Sequence, residues 1–469
     1  MKSPFFRRTR LASFLVLMTV SLSGCGFKPT VPEGYKISLE MWGVFDDSDA
    51  YVKTINEYRK LNPHIKDIQY RKLSPETYKE DLLNAFAAGK GPDIFMVRNA
   101  WRAPFEDKTA PAPETLITEK DYRDAFVDVV ATDFIGTGNR IYGIPLSADS
   151  LALYYNKDLF NVAGISRPPE TWDEVAEDIR KLTVLDQFGN ITRSGIALGT
   201  GANINRSSDI LMALMMQFGA DLKGFQTNRI NLVSQQSAKA LEYYAQFSRI
   251  GSPAYTWNAR QHYSIDSFYE GTAAMMINYS WQYETLKQKN AKLNIGVARL
   301  PQFNKDTPSN IANYWGYAVS KNRVMDKASF TPSNQATVIS AEKQNEVRVL
   351  ESWQFLKYLA LASEKKGITI TNGLTGTTKD FPMTNDPTKE YLEKTHKPAA
   401  RRTLISTQEN DLVLAPFIYG NLIAKNWYQG DAEGTDGILI DMIESVIRGE
   451  KTVSDALSVA ENRISILAR

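Results

Sequence analysis

The first clear pattern in the chain is an alternation: Ile37, Leu39 and Met41 are apolar, and Ser38 and Glu40 between them are polar. That period of two puts one face of a strand in a core. Trp42-Gly43 ends it, Asp49 stands where a helix N-cap is expected, and Val52, Ile55 and Tyr58 recur at helical spacing until Asn62-Pro63. A second strand is expected near 68–73. Pro75 opens a helix whose Tyr78, Leu82, Ala85 and Phe86 share a face, residues 89–92 close it, and 94–97 is apolar throughout, as a buried strand is. Strand, helix, strand, helix, strand is the order of a parallel sheet covered on both faces.

The pattern changes at Tyr142-Gly143-Ile144-Pro145, and a β-prone run at 151–156 follows, with Thr171 and Glu174 at capping-box spacing ahead of Val175, Ile179 and Leu182. Helices are expected near 208–218 and 236–250, and strands at 273–278 and 295–300. Residues 324–346 turn polar and read as a surface insertion. Trp353, Leu356, Leu359 and Ala360 mark a further helix, and 438–447 and 453–467 form two amphipathic helices around a break at Gly449. No repeat of fixed period is present.

Length changes the picture first: 469 residues, 43% hydrophobic and 23% charged, exceed what one core usually supports, so two domains are expected. The chain starts with a basic head (Lys2, Arg7, Arg8, Arg10) and an apolar run at 11–20 that is too short to span a bilayer. It ends in Leu22-Ser23-Gly24-Cys25, which looks like a lipoprotein processing site, and Cys25 is the single cysteine. Residues 1–24 are read as a signal peptide and 25–35 as an acylated tether holding the protein outside the cytoplasm, at the outer face of the cytoplasmic membrane or in the periplasm. Removing four of the 55 basic side chains and none of the 53 acidic ones leaves a balance of −2, which gives no reason to expect nucleic acid as a partner.

Segments along the chain carry a family resemblance. They are Phe86-Ala87-Ala88-Gly89 with Pro92-Asp93-Ile94, Tyr142-Gly143-Ile144-Pro145, Tyr154-Tyr155-Asn156-Lys157-Asp158-Leu159-Phe160, Pro169-Glu170-Thr171-Trp172, Phe268-Tyr269-Glu270-Gly271, Gly316-Tyr317-Ala318-Val319-Ser320 and Gly449-Glu450-Lys451. In this order the chain resembles the extracellular solute-binding proteins of ATP-binding-cassette (ABC) importers, the family 1 group of maltose- and oligosaccharide-binding type. The resemblance implies an α/β, two-lobed periplasmic-binding-protein-like fold with mixed, mainly parallel sheets, helices on both faces and three interlobe crossings. Mapped here, 36–147 and 279–317 make the N-terminal lobe and 148–278 and 318–469 the C-terminal lobe, with crossings near 145–150, 278–279 and 317–319. It implies a monomer that delivers a carbohydrate to membrane permease subunits and needs no cofactor.

A sugar ring has apolar C–H faces and a rim of hydroxyls, so its site needs flat aromatic side chains and short polar ones. With 11% aromatic residues, the chain places several at loops where strands end. Trp101, Trp281, Trp315, Asn99 and Asp149 lead the candidates, since their positions match cleft loops of the family. Trp42, Asp46, Trp257 and Tyr279 follow. Trp172 and Trp353 read as core; Asn372-Gly373 and Trp427 are weaker candidates. A carbohydrate-active hydrolase uses similar residues but needs two carboxyl groups at a set separation, and a non-transport surface lipoprotein needs no cleft. His64, His262 and His396 are far apart, and there is no metal-binding spacing, P-loop or nucleophile elbow, so no catalysis and no metal are expected.

Overall fold

The computed structural model describes residues 34–222, 230–334, 338–427 and 431–467. The expected signal segment, Cys25 and nearly all of the tether lie outside the described residues. Strand β1 (Tyr35–Gly43) realises the alternation, burying Tyr35, Ile37, Leu39 and Met41 on one face. Helix α1 (Val52–Leu61), strand β2 (Ile65–Lys72), helix α2 (Tyr78–Ala87) and strand β3 (Ile94–Arg98) follow as the pattern requires. β1 pairs in parallel with β2 on one side and with β3 on the other. The strand Trp315–Ser320 returns antiparallel to β3, and Thr109–Ala110 lies beyond it.

A second, antiparallel sheet has Ala152–Asn156 at its centre, between Met275–Asn278 and Ile295–Arg299. The helix Trp172–Leu182 that covers this region starts with the expected capping box: the Thr171 hydroxyl accepts from the Glu174 amide, and the Glu174 carboxylate accepts from the Thr171 amide. Trp172 and Trp353 are fully buried, each in a different core.

The two cores correct the domain boundaries. One gathers Tyr35 to Ala148 and then Ala312 to Ile405; the other gathers Leu151 to Ile311 and then Trp427 to Ile464. Residues 279–311 therefore belong to the second lobe, because Ile295–Arg299 pairs with Ala152–Asn156 and Leu286 and Leu293 pack beneath it. Residues 318–405 belong to the first lobe, where Trp353, Phe355 and Leu359 of the helix Ala341–Leu361 fill its core. The first crossing stands at 148–151. The second moves to Ile311-Ala312, and the third to the helix Ala415–Ile423 with Ala424–Lys425, which pairs with Asn310–Ile311.

The polar stretch 324–346 is partly folded onto the first lobe. Phe330–Pro332 pairs antiparallel with the start of β1, and Arg323 ahead of it binds the buried Asp93 and Glu40. Val324 and Val338 remain exposed, as a surface segment requires.

Candidate functional site

The C-terminal ends of β1 and β3 meet the start of Trp315–Ser320 at one rim of the first lobe. β3 runs directly into Asn99-Ala100-Trp101, and the antiparallel register sets Trp315 opposite Arg98. The Trp101 and Trp315 rings stand edge to face at 4.9 Å, and Phe45, just past β1, meets Trp315 at 5.4 Å. Phe105 stacks on Trp101 and Tyr78 backs Trp315, so the wall is held from behind. Phe45 is 48% exposed and Trp101 only 5%.

A second wall comes from the other lobe. The strand Met275–Asn278 delivers Tyr279 and Trp281, whose rings stack at 4.6 Å with 19° between planes. Tyr279 is buried and donates its hydroxyl to Asp209 at 3.0 Å, while Trp281 is 42% exposed. The Arg206 guanidinium stands 5.4 Å from the Trp281 ring and 5.8 Å from Tyr279. Arg206 precedes the helix Ser207–Gln217 with φ +65°, a left-handed conformation that costs a non-glycine residue about 1–2 kcal/mol. Cation–π attraction to two rings offsets part of that.

The helix Ala432–Ile447 closes the arrangement. Its Asp436 accepts from the Ser208 hydroxyl, and its pKa is raised. Removal from bulk water is the main cause; the Ser208 bond opposes it, and the neighbouring Asp209 charge adds to it. Arg206 and Arg98 pull Asp436 back down, and the same two arginines act on the Tyr279 hydroxyl. Arg98 belongs to the first lobe and the groups it acts on to the second. Lys79 of the first lobe stands 5.4 Å from the Trp101 ring and 2.8 Å from Glu433 on that helix, so the two aromatic walls border the gap where the lobes meet, with Arg206, Asp209 and Asp436 beside the second wall.

Asp149 stands at the first crossing rather than in the gap. It accepts from the Ser280 amide (2.9 Å), the Ser280 hydroxyl (2.5 Å) and the Ser150 amide (2.9 Å), and its carbonyl accepts from the Asn313 amide. Burial pushes its pKa to about 7 despite these bonds. It fixes the loop from which Trp281 projects. Asn99 is a backing residue too, donating to Asp133 and to the Ala312 carbonyl.

Three sequence candidates are not brought to the gap. Trp257 has no exposed surface; its indole N–H donates to Thr200 and Asn203 inside the second core. Trp42 is buried, donates to Glu40 and lies under the Arg71 guanidinium. Asp46 is taken up by Lys397 at 2.5 Å and by the Tyr51 and Tyr391 hydroxyls, which leaves little acceptor capacity for a ligand. Of the weaker candidates, Trp427 is buried in the second core and Asn372 caps a turn through the Leu374 and Thr375 amides.

Sequence reasoning misses Phe45, Arg98, Arg206, Asp209 and Asp436. Phe45 and Arg98 carry a usable signal, since each sits at the C-terminal end of a predicted strand. Asp436 carries none, because its approach depends on the third crossing. Cavities of about 540 and 600 Å³ flank the helix Ala415–Ile423, sharing Pro308, Leu422 and Ile423, and contain no residue of either wall. Among the described residues no group of three or more His, Cys, Asp or Glu could hold a metal ion, and no helix is long and apolar enough to cross a membrane.

The chain is similar to proteins of known binding activity. It is 26% identical over 264 residues to the maltotriose-binding protein of Pyrococcus abyssi, covering 56% of this chain and 52% of that one. It is 21% identical over 304 residues to the multiple sugar-binding protein of Streptococcus mutans, covering 63% and 70%. It thus spans about half the length of the Pyrococcus relative. The crystal structure of the cyclic alpha-maltosyl-1,6-maltose binding protein from Arthrobacter globiformis superposes with a TM-score of 0.68 at 18% identity, covering 92% of this chain and 99% of that one. At that identity the likeness speaks for the two-lobed fold alone. The profile of the bacterial extracellular solute-binding proteins matches residues 43–366. The chain belongs to this family, whose members are substrate-binding proteins of ABC transporters and not enzymes.

Proposed function

We propose that the chain is the lipid-anchored capture subunit of an ABC importer, closing its two lobes on a carbohydrate and presenting it to a membrane permease. The observation that carries this reading is the pair of aromatic walls, Phe45, Trp101 and Trp315 from one lobe and Tyr279 and Trp281 from the other, with Arg206, Asp209 and Asp436 beside the second. Rings of this kind cover the C–H faces of a sugar, and charged short-range acceptors and donors take its hydroxyls. Contact with both walls favours the closed form, because a ligand shifts an equilibrium by its differential affinity for the two states. Phe45, Trp281 and Trp315 are the proposed contacts, with Trp101 seating Trp315 from behind and Arg206, Asp209 and Asp436 on the polar rim. Cys25 is the proposed acylation site.

The test is a thermal-shift screen of residues 26–469 against mono- and oligosaccharides. A bound sugar at a hundred times its Kd adds about 2.7 kcal/mol of stability, which is a clear rise in Tm. No rise with any sugar would sink the carbohydrate reading, and release of reducing ends on long incubation would replace capture by hydrolysis. Retention of the Cys25→Ser protein in the membrane fraction would remove the anchor.

A further inference from the structure

An ionic contact joins the two lobes beside the aromatic walls. Lys79, in the first turn of α2, places its ammonium 2.8 Å from the Glu433 carboxylate and 3.8 Å from Asp431. Both acids belong to the start of the helix Ala432–Ile447, where Asp431 is the N-cap and accepts from the Gly434 amide. That helix is anchored in the second lobe by Leu439, Met442 and Ile443, yet its first residue, Ala432, is buried against the first core. The same Lys79 ammonium stands 5.4 Å from the Trp101 ring. The first lobe thus offers a cation and the second lobe two acids at the rim where they meet.

We propose that Lys79 is a positioning residue for ligand capture: it latches the first lobe to the start of the helix Ala432–Ile447 and seats the Trp101 ring in the same act. This rests on the carbohydrate-capture reading for its biological use, but not for its existence. The side chains are 36% to 55% exposed, so salt screens the contact and each pair is modest. A modest contact acts on an open–closed equilibrium by its full differential stabilisation of one form. The consequence is that release of an uncharged solute becomes dependent on ionic strength through a pair the solute does not touch.

The experiment uses residues 26–469, which carry no native cysteine, with fluorophores at Lys60→Cys and Lys239→Cys, exposed positions in different lobes. Interlobe energy transfer is read with and without ligand at low and high salt. Ligand release is read by stopped flow. The latch predicts that Lys79→Met opens the ligand-free protein, speeds release about twofold to fivefold at low salt and removes its salt dependence. Lys79→Arg keeps the wild-type behaviour. Lys79→Met and Glu433→Gln together have the effect of one alone, as a shared interaction requires. Additive effects in that cycle, or energy transfer unchanged in Lys79→Met, would overturn it. If no sugar binds, the capture reading fails, while the ligand-free energy transfer still decides the latch.

Discussion

Two tryptophans that look alike in the sequence have opposite physical situations, and substitution should separate them. Trp281 is half-exposed and stacked on Tyr279, whereas Trp257 is sealed in the second core with its N–H bonded to Thr200 and Asn203. Trp281→Ala is expected to weaken sugar binding about tenfold or more, since a stacked ring contributes ~0.5–1.5 kcal/mol beyond its buried area, and to shift Tm little. Trp257→Ala should lower stability by about 3–5 kcal/mol and leave the affinity of the folded fraction intact. Calorimetric titration and urea melts of both variants check the pair; equal affinity loss would put Trp257 back in the site. The sequence could place both residues in loops after apolar runs, but not their exposure. Which way the Trp257 indole faces depends on Thr200 and Asn203, 57 and 54 positions away, and not on its neighbours in the chain. Asp46 misleads in the same way: it follows a strand end as a ligand carboxylate does, yet Lys397, 351 positions on, claims it.

Elements with one buried face are readable from sequence, and elements buried all round or pinned from afar are not. β1 and α1 announce themselves by period and the helix at Thr171 by its cap, whereas the expected cap Asp49 lies in a separate short turn and α1 starts after Tyr51 with no side-chain cap. The helix Ala341–Leu361 announces itself only in its second half, which Trp353, Leu356, Leu359 and Ala360 mark: its first turns are exposed and polar, so they read as insertion, and its middle buries Arg348, Glu351 and Gln354 along with the tryptophan. Glu351 accepts from Tyr35, from Asn62 at 2.7 Å and from Gln354 at 3.1 Å, and burial outweighs these bonds, pushing its pKa from 4.5 to about 7. The folded protein therefore holds a proton that the unfolded chain releases. This contribution to stability is complete below about pH 4.5 and is lost as the pH rises through about 7. Asp149 and Asp133, raised to about 7 and about 6, act in the same direction. Glu351→Gln mimics the protonated acid, so the variant should gain on the wild type by on the order of 2–3 kcal/mol between pH 4.5 and 8. Urea denaturation of both proteins across that range is the check; parallel curves would mean that Glu351 stays ionised.

At the scale of the whole molecule, the crossings decide what the site can be, and they are the hardest feature to read. The first lies where apolar patterning changes, at 148–151. A strand end puts the second beside Tyr279, but the chain stays in the second lobe as far as Ile311 to add Ile295–Arg299 to Ala152–Asn156, a pairing between distant segments that no local period encodes. The crossings are tied to one another through polar groups. Ser150 donates to the Phe417 carbonyl, Asn421 to the Ala148 carbonyl, and Asn310 to the Leu151 carbonyl, while Asp149 binds both Ser280 groups. This makes Asp149 the link between hinge and wall, since Ser280 precedes Trp281. Asp149→Ala strands three buried donors, each costing about 1–3 kcal/mol, so a loss of several kcal/mol is expected. Stability alone would not distinguish a hinge residue from any buried one. The distinguishing expectation is that Asp149→Ala also weakens sugar binding at a temperature where the variant is fully folded. If Asp149 works by holding the Trp281 loop, it adds little to the loss already caused by Trp281→Ala. Calorimetric titration of the wild type, the two single variants and the double variant gives that coupling directly, and full additivity would reduce Asp149 to a structural residue of the crossing.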